Sequence, residues 1–279
     1  MPGRTVSRTA LGTAYVRAAH QLLDASPHIL EDPLAVTILG PAGVQRIYDS
    51  AESYQTAQRR ALRAHIVLRS RFAEDRLAAS LLRGVTQYVI LGAGFDTFAL
   101  RMPSWAHSLQ VVEVDHAATQ EVKRSRIVAT GLAVPKNVHF AAIDFEQESL
   151  CDSLRRNAVA MDTPTFFSWL GVTMYLTQEA IDATLRCLGS FPLGSEVVLT
   201  FAPPSTGAPS PFSQAADGVG ESWISHFEPE ALKERLQSAR FSLVEFLLPA
   251  EANARYFRQR PQDLPPPTRT NIVTAVRAP

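Results

Sequence analysis

The stretch Tyr88-Val-Ile-Leu-Gly-Ala-Gly-Phe-Asp-Thr97 decides how this chain reads. A short, wholly apolar run enters a turn that carries two glycines. Such a run, closed by turn residues, is the pattern of a strand buried on both faces. Glycine lets the backbone turn tightly and come close to whatever lies at the strand's end. In an open α/β sheet, ligands bind beyond the C-terminal ends of the strands, where the strand order reverses. Gly92 and Gly94 fit a ligand-binding turn and equally a plain strand-to-helix turn.

Working outward from Gly84, β-rich runs alternate with helical ones. Strands are expected at 87–91, 109–114, 138–143, 165–170, 196–201, 241–246 and 270–276, and helices at 116–129, 147–157 and 178–188. Alternation of this kind predicts an α/β fold: a mostly parallel seven-stranded, Rossmann-like sheet with helices on both faces. The Pro-rich segment before the last run shows no clear helix, which suits an antiparallel strand near one edge. Apolar residues recur at helical spacing in 9–23, 32–39 and 52–82. The chain thus reads as a single domain, 1–279, with an N-terminal helical cap over 1–83 and the Rossmann-like core over 84–279. The segment 202–220 is dense in Pro, Gly and Ser and directly follows a strand, so we expect a lid there.

Composition sets limits. The chain has 279 residues, 46% of them hydrophobic, with 27 basic and 27 acidic residues. Zero formal charge gives no electrostatic reason for a nucleic-acid or anionic-membrane partner. Cys151 and Cys187 read as free thiols in a reducing compartment. No apolar leader or membrane-length apolar run is visible, so we expect a cytoplasmic protein, and a monomer. The histidines form no metal-ligand spacing, and no metal is expected.

The turn lacks the third glycine of a dinucleotide fingerprint, because Thr97 stands in its place. Asp96 would put a negative charge where a pyrophosphate would lie. A phosphate-free, cationic ligand fits better, and S-adenosylmethionine is such a ligand. Asp115 ends the second strand about 20 residues on, the spacing at which an acid accepts from ribose hydroxyls. Asp144 ends the third strand, placed to accept from an adenine amino group while Phe145 packs on the ring. Each acid could instead be a helix cap.

Leu91-Gly-Ala-Gly-Phe-Asp-Thr97, Glu113-Val-Asp115, Ile143-Asp-Phe145 and Ser168-Trp-Leu-Gly-Val-Thr-Met-Tyr-Leu176 together resemble the leucine carboxyl methyltransferase family, from about Arg63 to the C-terminus. Glu221-Ser-Trp-Ile-Ser-His-Phe227 and Pro249-Ala-Glu-Ala-Asn-Ala-Arg-Tyr-Phe257 resemble a bacterial subgroup of it. The resemblance implies a class I methyltransferase fold and S-adenosylmethionine-dependent O-methylation of a carboxylate or hydroxyl on a small molecule or peptide, as in secondary metabolism. It implies that Gly92 and Gly94 lie against the cofactor, that Asp115 holds the ribose, and that Asp144 and Phe145 flank the adenine. It also implies that an arginine before the first strand, Arg69 or Arg71, binds the methionine carboxylate. The chain departs from the phosphatase-modifying branch at Leu170, where that branch has Glu.

Tyr175 and His226 are the candidate catalytic residues, and Trp169, Asn253 and Arg255 the candidates for the acceptor site. A carboxylate acceptor needs no base, whereas a phenol, with a pKa near 10, benefits from one. Two other readings stay open on the sequence: a non-catalytic regulator or scaffold that keeps the cofactor fold, and a nucleotide-cofactor oxidoreductase.

Overall fold

The computed structural model describes residues 6–157, 159–204 and 211–279. The N-terminal part is α1 (Arg8–Leu23), α2 (Pro33–Asp49), α3 (Ala51–Tyr54) and α4 (Ala57–Leu81). Helix α2 continues past the expected end at Leu39, but it is broken there: Gly40 sits at φ 69°, outside helical geometry, and Pro41 restarts the helix. The helix expected over 52–82 is two, parted where the Thr56 side chain accepts from the Arg59 N–H and caps α4.

The remainder runs β1 (Gln87–Leu91), α5 (Phe98–Arg101), β2 (Gln110–Asp115), α6 (Ala117–Ala129), β3 (Val138–Ala142), α7 (Leu150–Arg156), β4 (Thr165–Trp169), α8 (Gln178–Leu188) and β5 (Glu196–Thr200). It closes with α9 (Pro211–Asp217), α10 (Pro229–Ser238), β6 (Leu243–Phe246), α11 (Pro249–Ala252), a π-helical turn at Asn253–Phe257 and β7 (Ile272–Val276). The sheet order is β3-β2-β1-β4-β5-β7-β6. All pairs are parallel except those of β7, which is antiparallel to both β5 and β6. The antiparallel strand expected near one edge is therefore there: β7 lies between β5 and the edge strand β6. Part of the expected lid, 205–210, lies outside the described residues, and α9 follows it.

Strand alternation divides the core in two. Val89, Leu91, Phe167, Val197 and Leu199 face α7, α8 and α10, while Tyr88, Ile90, Phe166 and Val198 face α4. Order reverses between β1 and β4, so their C-terminal ends form the crevice where such folds bind ligands.

The helical cap is fixed to that crevice by buried charge. Arg17 of α1 donates through Nε to Asp32 at 2.8 Å and through Nη1 to Asp96 at 2.8 Å. Thr97 donates to the other Asp32 oxygen, and Arg101 pairs with Glu74 of α4. Arg17 is 4% and Asp32 0% exposed. Leaving Arg17 without this carboxylate strands a buried charge, which costs about 3–5 kcal/mol. Asp32→Ala should lower urea stability by about that amount; a loss under about 1 kcal/mol would mean that the cluster is solvated.

The cysteines differ from expectation. Cys151 of α7 and Cys187 of α8 form a disulfide, with Cα atoms 5.5 Å apart, within the span that a disulfide bridges. Both helices cover the same sheet face, so residues 36 apart in sequence meet; composition alone carries no such neighbourhood. Thiol titration of the denatured protein should find no reactive thiol without reductant and two after reduction. Two thiols from the start would contradict the bridge.

Candidate active site

The glycine turn is held on the end of β2: the Gly92 N–H donates to the Val114 carbonyl at 2.8 Å, and the Gly94 N–H to Asp115 Oδ2 at 2.5 Å. Both glycines have positive φ, 67° and 51°. The space that a Cβ would take is filled at Gly92 by Val172 and at Gly94 by Ala10 of α1, whose Cβ would be 3.1 Å away. The turn thus needs glycine for close contact with protein on those sides.

Three strand ends carry the expected residues. Asp115 is partly exposed, and its second oxygen accepts from the His116 N–H at 2.6 Å. Burial pushes its pKa up, against the two N–H donors that hold the carboxylate. A carboxylate oxygen can accept more than one hydrogen bond, so lone pairs remain for ribose hydroxyls. Asp144 Oδ1 accepts from the Glu146 N–H at 3.0 Å, closing the turn that presents Phe145. Phe145 is half-buried, with its ring centroid 6.5 Å from that of Trp169.

Asp96 does not play the part expected of it. Burial alone would raise its pKa, but Arg17, Lys123, Arg101 and the Phe98 N–H together hold it at about 2. It is ionised, and its charge is spent on Arg17. The Asp-Thr of the motif docks the helical cap through Arg17 and Asp32. The sequence signal was faint: Arg17 lies among the buried alanines of α1, and Asp32 reads as an ordinary helix cap.

Of the two candidate arginines, Arg71 donates to Asp75 at 2.8 Å and is 43% exposed. Arg69 forms no ion pair among the described residues. Its guanidinium reaches the turn after β4, where a Cβ on Gly171 would lie 2.6 Å from Nη1. Gly171, at φ 75°, leaves that space open. Burial lowers the Arg69 pKa to about 10, the nearby Tyr175 and Asp96 working the other way. It remains cationic at neutral pH. His65, one turn earlier on α4, is pushed down to about 3 by burial and by Arg69, so it stays neutral. Arg69 is a half-buried cation with no acid partner among the described residues, at the strand-order switch, which makes it a candidate for binding a carboxylate.

Tyr175 stands beside this site, with its hydroxyl next to Thr9 and Trp223; burial pushes its pKa up, so it remains a proton donor. The buried Trp223 indole N–H lies by the Tyr175 hydroxyl and makes no hydrogen bond of full geometry among the described residues, and the His226 ring lies 6.5 Å from that of Trp223. Tyr175 and His226 are thereby joined through Trp223, a residue not singled out from sequence. The three other acceptor candidates are placed differently. Trp169 is 0% exposed and belongs to the core beneath Phe145, so the expectation that it contacts the acceptor is corrected: an inward position on a central strand leaves it no surface. Arg255 pairs with Glu251 and Asp75 and lies over Phe72 and Tyr256. Asn253 is exposed at the start of the π-helical turn. No contact among the described residues ties either of these to Arg69 or Tyr175.

A sheet in this order, with a glycine turn, acids on successive strand ends and, at the switch point, a cation unpaired among the described residues, defines a class I methyltransferase fold. A family model described as leucine carboxyl methyltransferase matches residues 10–189. The chain belongs to the leucine carboxyl methyltransferase family and is a methyltransferase. A Bacillus subtilis protein named "Putative S-adenosyl-L-methionine-dependent methyltransferase YktD" is 32% identical over 286 residues, covering 92% of this chain and 93% of its own. A Mycobacterium marinum relative, "Putative S-adenosyl-L-methionine-dependent methyltransferase", is 29% identical and covers 79% and 73%. A DUF574 family protein of Streptomyces avermitilis superposes with a TM-score of 0.56 at 17% identity, over 95% of this chain and 97% of that one, and shares the fold. The family match reaches back to residue 10, so the resemblance placed from about Arg63 also takes in α1 and α2.

The two arginines separate experimentally. Arg69→Ala should weaken binding of S-adenosylhomocysteine at least tenfold, whereas Arg71→Ala should leave it within twofold. The reverse order in a calorimetric titration would reassign the carboxylate site.

Proposed function

We propose that this methyltransferase moves the methyl group of S-adenosylmethionine onto an oxygen of a small molecule or peptide, either a carboxylate or a hydroxyl. The observation that carries the reading is Arg69: a half-buried guanidinium with no acid partner among the described residues, set against Gly171 where a Cβ would clash. The donor set matches the cofactor piece by piece. Arg69 suits its carboxylate, Asp115 its ribose hydroxyls, and Asp144 with Phe145 its adenine. The Arg17–Asp96 pair is neutral overall and adds no net charge to the site.

The methyl donor is S-adenosylmethionine, which supplies a carbon already activated by positive sulfur. The acceptor oxygen forms the new O–C bond as the C–S pair returns to sulfur. Protein residues have to hold the two groups about 3 Å apart and in line, with water kept out. A carboxylate acceptor ends as a neutral ester and releases no proton. A hydroxyl acceptor loses one, and His226 is the residue near Tyr175 suited to take it. Tyr175 and Trp223 present O–H and N–H donors on the acceptor side, suited to orienting an oxygen. With no net formal charge to draw a polyanion, we place the reaction on dissolved acceptors, by a monomer.

Calorimetry with S-adenosylmethionine, S-adenosylhomocysteine and NAD in parallel tests the reading. Heat is expected with the two sulfur ligands alone, and Asp115→Ala should weaken both at least tenfold. Binding of NAD alone, or unchanged affinity in the variant, would overturn it.

A further inference from the structure

Helix α1 lies across the crevice. Along its length Thr9 stands beside Tyr175 at the end of β4, Ala10 lies against Gly94 at the end of β1, and Arg17 is bonded to Asp96. The Ser7 N–H donates to Thr119 in the first turn of α6, beyond the end of β2. A molecule seated on the glycine turn is therefore covered by the N-terminal half of α1.

The two ends of this helix are secured differently. The Arg17 end is locked into the buried ionic cluster. The other end carries no acid in its first turn, although a carboxylate there is favoured by the unpaired N–H groups and the helix dipole. The acid comes from more than two hundred residues away. Glu221 Oε1 accepts from the Arg8 N–H at 2.6 Å, and Oε2 accepts from the Ser7 hydroxyl at 3.0 Å, the Thr9 N–H at 3.3 Å and the Thr9 hydroxyl. Glu221 in turn is seated on the site: its N–H donates to the Ala216 carbonyl, and the following Ile224 and Ser225 N–H groups donate to the Met174 carbonyl, next to Tyr175.

We propose that Glu221 is a positioning residue that latches α1 over the bound cofactor and sets how fast the cofactor and its product leave. Resting on the cofactor reading above, this assigns Glu221 a task separate from Arg69 and Asp115. The Glu221 carboxylate oxygens are bonded to Ser7, Arg8 and Thr9, so the task is carried out through Thr9 and the neighbouring Ala10. Release of its bonds frees the first turns of α1 while Arg17 remains docked, so the helix pivots at one end. Such opening steps set turnover in many enzymes.

The test is stopped-flow dissociation of S-adenosylhomocysteine from the full-length protein, alongside hydrogen exchange of the ligand-bound form. Glu221→Ala is expected to speed dissociation at least tenfold and to raise exchange in residues 8–11, with the melting temperature nearly unchanged. Glu221→Asp should restore at least part of the slow dissociation. Thr9→Val, which removes the hydroxyl bonds to Glu221, Ser7 and Tyr175 but keeps the backbone bonds to Glu221, should give a smaller acceleration in the same direction and serves if the alanine variant fails to fold. Dissociation within twofold of the parent in both the Ala and Val variants would overturn the latch. Failure of the parent protein to bind S-adenosylhomocysteine would instead count against the cofactor reading.

Discussion

The site depends on one buried cation. Arg17 holds Asp32 and Asp96 together, and with them the helical cap, the glycine turn and the start of α5. Burial opposes the charge on Arg17, and Asp32, Asp96 and Glu74 more than restore it, so its pKa is raised. Thr97 and Arg101 complete the cluster and reach Glu74 on α4, the helix that also carries Arg69. The same interaction therefore fixes the turn, the cover above it and the helix that presents the Arg69 guanidinium. A charge cluster of this depth gives little net stability over an apolar core, but breaking it is costly. It makes the arrangement of cap on sheet specific.

Much of this was legible in the sequence. β1 and α8 fall at their expected limits, and the other strands lie within two residues of theirs, because fully buried strands are short apolar runs between turn residues. Asp115 and Asp144 sit at or just past the strand ends expected for them. Composition misjudged the cysteines, whose meeting depends on which helices share a sheet face. Trp169, a candidate for the acceptor site on sequence, is buried in the core, because a position on a strand does not reveal which side is covered. Asp96 was read as a charge aimed at a ligand; its partner, Arg17, lies 79 residues away in sequence, beyond what spacing can show. Glu221 and Trp223 were quoted only as part of a motif, and their contacts with α1 and Tyr175 exist only once the chain is folded.

The electrostatics of the crevice follow from this division. With Asp96 paired, Asp115 bonded to the turn and Glu221 bonded to α1, the acids near the site are already engaged. Arg69 is the cation without an acid partner among the described residues, held in charged form while His65 beside it is kept neutral. One such half-buried positive charge favours a ligand carrying one carboxylate. Tyr175 and Trp223 add uncharged donors on the side where an acceptor would approach.

The most direct measurement is a crystal structure of the complex with S-adenosylhomocysteine. The ligand carboxylate should lie on the Arg69 guanidinium and the ribose on Asp115, with Asp96 still bonded to Arg17 beneath α1. A ligand amino group or ribose bonded to an Asp96 released from Arg17, with Arg69 left unengaged, would contradict this account.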